Sequence, residues 1–302
     1  MIPMRESVQV QTRVAPSPLL WARDVASLAK PRLSALVVCT AAGGMWLAPG
    51  TLTAARAVVL LVGTALVVGA ANALNNFLER DLDARMRRTR NRPLPAGRLE
   101  PGVALALGLA LPAFAIPALA LATNPLTGLL ALIALVTYAG VYTPLKQRTT
   151  AALFVGAVPG AIPPLMGWTA VTGRIDWGGL ALFGILFFWQ LPHFLAISIY
   201  LKEDYARAGL RVFALVHGDR AARAWASVAS LLLVPVTLSL VPLGLAGPAY
   251  GAAAAALGLG LAGWALADLR LPEGSVRQAR SFFLGTLAYL TLLFVALFLW
   301  AR

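Results

Sequence analysis

Residues 53–83 read TAARAVVLLVGTALVVGAANALNNFLERDLD, an apolar run that ends in a cluster of amides and carboxylates. At about 1.5 Å of rise per residue, its apolar part (53–78) is long enough for a helix to cross the roughly 30 Å hydrocarbon core of a bilayer. Eight further runs of this kind lie at 33–49, 102–122, 125–143, 151–171, 178–200, 222–242, 245–267 and 281–300. The 302 residues are 59% hydrophobic and 12% charged, about half the charge of a soluble domain. That composition excludes a disordered chain and an ordinary water-soluble enzyme. It predicts an all-α integral membrane protein with nine transmembrane helices. Residues 1–32 lack the continuous apolar core of a signal peptide and form an N-terminal arm, leaving 33–302 as one transmembrane domain.

The net charge of +13 invites a nucleic-acid reading, but its distribution points to a membrane. Of the Lys and Arg residues, 22 fall in alternate connections: the arm, 79–100, 143–150, 201–223 and 267–281. The other connections and the C-terminus hold only Arg56, Arg174 and Arg302. The positive-inside rule then puts the N-terminus in the cytoplasm and the C-terminus outside, in a multi-pass protein of the cell (inner) membrane. No nucleic-acid partner is expected, and part of the basic charge serves anionic membrane lipid. Eleven of the twelve acids share the cytoplasmic side, with Asp176 the exception. Topology does not require that, and it suggests chemistry there. The single cysteine, Cys39, lies in an apolar run and is expected to be a small buried residue.

If the helix of 53–78 continues to its acids, about 100° per residue puts Asn72, Asn75, Glu79 and Asp83 within about 80° of one another, with Asp81 opposite. Amide and carboxylate oxygens at this spacing suit a hard divalent cation such as Mg²⁺. Unpaired acids at a helix C-terminus oppose the dipole, so a cation there would compensate. Arg88 and Arg92 follow in an arginine-rich run shaped by Pro93, Pro95 and Gly97. Arginine donors match phosphate oxygens, so the two segments together predict a diphosphate site. A second stripe, if unbroken, aligns Gln190, His193, Tyr200 and Asp204, with Trp189 and Lys202 beside it. A histidine at membrane depth after the kinking Pro192 is a functional candidate. His217 is expected to be structural. The short loop containing Tyr142, Lys146 and Arg148 adds a phenol and two cations. Pro159, Pro163 and Pro164 should bend the span at 151–171, as tolerated where a helix lines a cavity.

The segment Asn75-xxx-Glu79-xxx-Asp83, followed by Arg88-Thr-Arg-Asn-Arg92-Pro93-Leu94, resembles the first aspartate-rich motif of the intramembrane (UbiA-type) prenyltransferases. Within that superfamily it is similar to the heme O synthases, through Tyr142-Thr-Pro-Leu-Lys146, Pro163-Pro-Leu-Met-Gly-Trp168, Trp189-Gln-Leu-Pro-His193-Phe194 and Asp204-Tyr-Ala-Arg-Ala-Gly209. It departs from their pattern at Thr149-Thr-Ala-Ala152 and at Leu210-Arg-Val-Phe213. The resemblance implies a central cavity open to the cytoplasmic face, with active-site loops 79–100, 143–150 and 201–221. It implies transfer of a farnesyl group from farnesyl diphosphate to a vinyl group of heme B, giving heme O, with Mg²⁺ as cofactor. Asn75, Glu79, Asp83 and Asp204 then serve metal and diphosphate. Arg88, Arg92, Lys146 and Arg148 serve diphosphate, and His193 serves the heme side. Asn72, Tyr142, Trp189, Gln190, Tyr200 and Lys202 complete the substrate contacts. A heme A synthase or terminal oxidase assembly is the implied downstream partner. Competing readings are a prenyltransferase acting on an aromatic quinone precursor or chlorin, an ion transporter, and a non-catalytic heme or lipid binder.

Overall fold

The computed structural model describes residues 17–301. In chain order its helices are α1 (Pro18–Leu28), α2 (Pro31–Leu47), α3 (Ala54–Asp83), α4 (Pro101–Ala122), α5 (Pro125–Leu135), a π-helical segment (Val136–Tyr142), α6 (Thr143–Leu145), α7 (Ala152–Thr172), α8 (Trp177–Tyr200), α9 (Lys202–Ala208), α10 (Phe213–Leu238), α11 (Pro248–Asp268) and α12 (Val276–Trp300). Among the described residues, eight helical stretches are long and apolar enough to cross a bilayer, and nine if α1 and α2 form one span bent by 45°. The α2 helix alone, at 17 residues, rises only about 25 Å. It matches the expected span at 33–49 to within two residues and falls at the short end of membrane-spanning lengths. The expected span at 222–242 falls largely within α10, where Gly218 (φ 83°, ψ 164°) sets off a short first turn from the continuous helix that follows.

Helix contacts run from α4 to α3, α3 to α2, α2 to α7, α7 to α8, and α8 to α10 and α12, with α11 closing against α10 and α12. The most enclosed span is α7. Its contact with α2 is glycine-mediated: a Cβ at Gly44 would collide with the Pro164 carbonyl, and one at Gly167 with the Ala41 carbonyl. Close backbone approach of this kind drives helix association in lipid, where apolar side chains gain nothing by leaving the solvent.

Alternating helices bring the charged connections to one face, where they are tied together. Arg98 clamps Asp24 through Nε (2.8 Å) and Nη2 (3.2 Å). The Arg211 amide donates to the Lys146 carbonyl at 3.3 Å. Asp219 accepts from Lys202 at 2.7 Å and from the Gly274 amide at 2.9 Å. His217, in the first turn of α10, meets the Thr150 hydroxyl at 3.1 Å, the structural role expected of it. On the opposite face, Asp176 caps α8 by accepting from the Gly178 and Gly179 amides, which gives the exceptional acid a structural task. Cys39 corrects one expectation, because it is exposed rather than buried. An apolar run cannot separate lipid-facing from packed positions, since both sides of a membrane helix are apolar.

Gly167→Val should drive α2 from α7 and cost about 1–3 kcal/mol by overpacking. Gly260→Ala, where an added Cβ meets nothing, should be neutral. Thermal unfolding of the two variants in detergent checks this.

Candidate active site

The α3 helix runs unbroken to Asp83, about 45 Å at 1.5 Å per residue, so its acid stripe stays on one face as the spacing predicts. Asn72, Asn75, Glu79 and Asp83 are all buried, whereas the Asp81 side chain is 81% exposed. Each group of the stripe is held by a different part of the charged face. Arg92 donates from Nη1 to Asp83 Oδ2 at 2.7 Å, and the Thr89 hydroxyl donates to the Asp83 carbonyl at 2.8 Å. Lys146 pairs with Glu79 Oε1. Lys30 donates to Asn75 Oδ1 at 3.1 Å, while the Asn75 amide donates to Thr143 Oγ1 at 3.3 Å.

Burial by itself would lower the Lys146 ammonium, but the Tyr142 phenol and the Glu79 carboxylate outweigh it and hold Lys146 above its usual range. It stays charged, lying 5.4 Å from the Tyr142 ring centroid. Tyr142 is delivered by the π-helical segment, a distortion common at functional sites. Tyr138, one turn earlier, faces it at 5.5 Å. Gly156 of α7 makes the room, since a Cβ there would strike the Tyr142 ring.

Two residues escaped the sequence reading. Tyr138 had no signal, because the π-helix that turns it inward has no signature in the apolar run. Lys30 was absorbed into the topogenic arm, although Lys30-Pro31 marks a helix start. Its backbone is left-handed, φ 48° and ψ 65°, a strained state for a lysine and one found at functional sites. The break is secured from α3. Asn72 donates to the Ala29 carbonyl (3.4 Å) and Ser34 Oγ (3.5 Å), and Asn76 donates to the Leu28 carbonyl (3.2 Å). Asn72 thus positions Lys30.

Arg88 and Arg92 line a cleft of about 560 Å³ with Lys30, Asn76, Arg23 and Arg98, between α1 and the loop after α3. Arg88 is exposed, and so is Arg148. The tip of α3 meets α9 through Leu82 and Met86 against Tyr205, Ala208 and Leu210. Burial pushes the Tyr205 phenol up, keeping it a neutral donor.

The second stripe does not survive as one face. The α8 helix ends at Tyr200, and Leu201 (φ −106°, ψ 21°) turns the chain into α9. Asp204 therefore leaves the line of His193 and pairs with Arg207 at 2.9 Å. Lys202 is bound to Asp219. Gln190 faces α7, donating to the Ala157 carbonyl at 3.2 Å. Trp189 and His193 face α12. The indole donates to the Thr286 carbonyl at 2.7 Å, and His193 Nδ1 meets Thr286 Oγ1 at 2.8 Å. Among the described residues, no three His, Cys, Asp or Glu side chains are grouped to hold a metal. The donor set nevertheless suits Mg²⁺, which usually takes one or two carboxylates and completes its shell with waters and substrate phosphate. Glu79 Oε1, buried and without a hydrogen-bond partner beyond its ion pair, is one such donor.

The model of the UbiA prenyltransferase family matches residues 36–287. The chain is 66% identical over 289 residues to the protoheme IX farnesyltransferase of Anaeromyxobacter dehalogenans (strain 2CP-C), covering 96% of this chain and 97% of that protein. Its fold is similar to a solved digeranylgeranylglyceryl phosphate synthase, with a TM-score of 0.78 at 14% identity over 91% of this chain and 96% of that one. It is also similar to a UbiA homologue from Archaeoglobus fulgidus bound to DMAPP and Mg²⁺, with a TM-score of 0.69 at 17% identity over 91% of this chain and 99% of that one.

Lys30→Met and Arg92→Met should each weaken binding of inorganic pyrophosphate with Mg²⁺ about tenfold or more, the worth of one charge-assisted bond. Asp81→Asn should leave it unchanged. Calorimetric titration of the purified protein distinguishes these outcomes.

Proposed function

This chain belongs to the UbiA prenyltransferase family, and from that premise we propose how its residues divide the work of the reaction. It is a protoheme IX farnesyltransferase, moving the farnesyl group of farnesyl diphosphate to a vinyl group of heme B and giving heme O. The observation that carries the division of labour is the buried acid stripe of α3 ringed by Lys30, Arg92 and Lys146.

Asn75, Glu79 and Asp83 present oxygens toward the diphosphate end of the substrate, with Asp204 at the rim. Mg²⁺ bound there supplies Lewis-acid stabilisation of the departing diphosphate. Lys30, Arg92 and Lys146 are already positioned for the charge that builds on the diphosphate oxygens as the allylic C–O bond breaks. Arg88 and Arg148, both exposed, close on the diphosphate from the loops. The electron pair of the broken bond leaves with the diphosphate. The vinyl group supplies the electrons of the new C–C bond, and water then adds to the former vinyl carbon, losing a proton.

The allylic cation must meet the vinyl group before it meets water. His193 serves the heme side. The charged face is cytoplasmic, the cavity opens there, and the protein sits in the inner membrane with its C-terminus outside. Heme O passes on to a heme A synthase or terminal oxidase assembly.

Purified protein given heme B, farnesyl diphosphate and Mg²⁺ should yield heme O by mass spectrometry. Asp83→Asn should lower kcat at least a hundredfold, because it removes a group needed as charge develops. An aromatic quinone precursor consumed in place of heme B would favour the alternative acceptor. Undiminished turnover by Asp83→Asn would remove the acid stripe from the mechanism.

A further inference from the structure

Between α8 and α12 lies a seam that runs from a half-buried histidine to an exposed arginine. Its deep end is His193, packed against Trp189 (centroids 4.9 Å) and Phe283 (4.6 Å). Phe283 continues to Tyr200 at 6.3 Å, and the Arg280 guanidinium lies 5.8 Å from the Tyr200 ring. His193, Phe283 and Tyr200 are only half-buried, and Arg280 is exposed. Arg280 makes no ion pair among the described residues, while Lys202, two residues past Tyr200, is already bound to Asp219. Seven residues of α8 separate His193 from Tyr200, a rise of about 10 Å. That suits the reach from the centre of a porphyrin to the end of its propionate arm.

The state of the histidine follows from its partner. Thr286 has one hydroxyl proton, and it is donated to the Phe283 carbonyl at 2.7 Å. Toward His193 the hydroxyl can therefore only accept, so Nδ1 carries the imidazole proton. The Nε2 lone pair has no hydrogen-bond partner among the described residues, as in a metal-ligating histidine whose other nitrogen is fixed by a hydrogen bond.

Resting on heme B as the acceptor, the geometry points to this seam as the heme subsite. Arg280 binds a propionate at the charged face, His193 Nε2 binds the iron, and Thr286 is the positioning residue that fixes the tautomer. Phe283 and Tyr200 lie against the porphyrin. The propionates then set the depth and rotation of the ring, and with them which vinyl group reaches the allylic cation.

The test compares heme B with its dimethyl ester, which lacks the anionic propionates, in absorption titrations of the full chain in detergent. Wild type should bind the acid about tenfold or more tightly than the ester. Arg280→Gln should lose that preference and Arg280→Lys should keep part of it, with the KM for farnesyl diphosphate unchanged in both. His193→Ala should alter the heme absorption band yet retain the acid–ester preference, and Thr286→Val should alter the band with His193 present. If wild type does not discriminate acid from ester, or Arg280→Gln still does, the subsite is wrong. If Arg280→Gln weakens acid and ester equally, the arginine serves the fold or an anionic lipid headgroup, and the subsite is again wrong. Failure of wild type to farnesylate heme B would instead overturn the assigned acceptor, a result that the binding arms do not depend on.

Discussion

Two carboxylates buried at the end of one long helix set the terms for the whole charged face. Asp83 is 1% exposed and Glu79 is 4% exposed, and an unpaired ion at such sites costs several kcal/mol. Each is therefore matched by a cation from a different segment, Arg92 from the loop after α3 and Lys146 from the loop after α6. Asn75 adds Lys30 from the break between α1 and α2. The acids thus fix three separate connections against one helix tip. Arg92 and Lys146 offset the two carboxylates, while burial and the two neighbouring cations lower the Lys30 ammonium to about 7. Under the proposed function an arriving diphosphate would favour the charged form of Lys30, so the contacts that hold the site together would also tune it for its ligand.

The glycine contacts deeper in the bundle serve the same end. The α2 helix can present Lys30 to α3 only if it lies tightly along α7, and Gly44 and Gly167 permit that approach. Gly156 does the same for Tyr142, whose ring would otherwise be pushed from Lys146. Three prolines in α7 are tolerated because its neighbours enclose it.

Much of this was legible in the sequence, because the underlying physics is local. Span length, charge asymmetry and the 100° periodicity of α3 all belong to single segments, and the stripe of Asn75, Glu79 and Asp83 needed only an uninterrupted helix. The second stripe needed the same assumption and failed at Leu201, where the backbone turns and carries Asp204 away from His193. Lys30 depends on a strained break, and Tyr138 on a π-helical register. Neither leaves a compositional mark. Cys39 shows a limit peculiar to membranes, where an apolar face does not reveal whether protein or lipid covers it.

The broken stripe fits the proposal that one protein handles two unlike substrates at separate places. On α8, Gln190 turns to α7, while Trp189 and His193, on an adjacent face, turn to α12. On the proposed division of labour, the diphosphate pole would be built from α1–α3 and the loop at Lys146, and the histidine pole from α8 and α12. A single polar cluster would force a charged leaving group and a large aromatic acceptor to compete for the same donors. On that proposal, separate poles would leave the allylic carbon between them. In the proposed reaction the anion would leave toward its cations on one side while the electrons of the new bond arrive from the other, and neither event would require water at the cation.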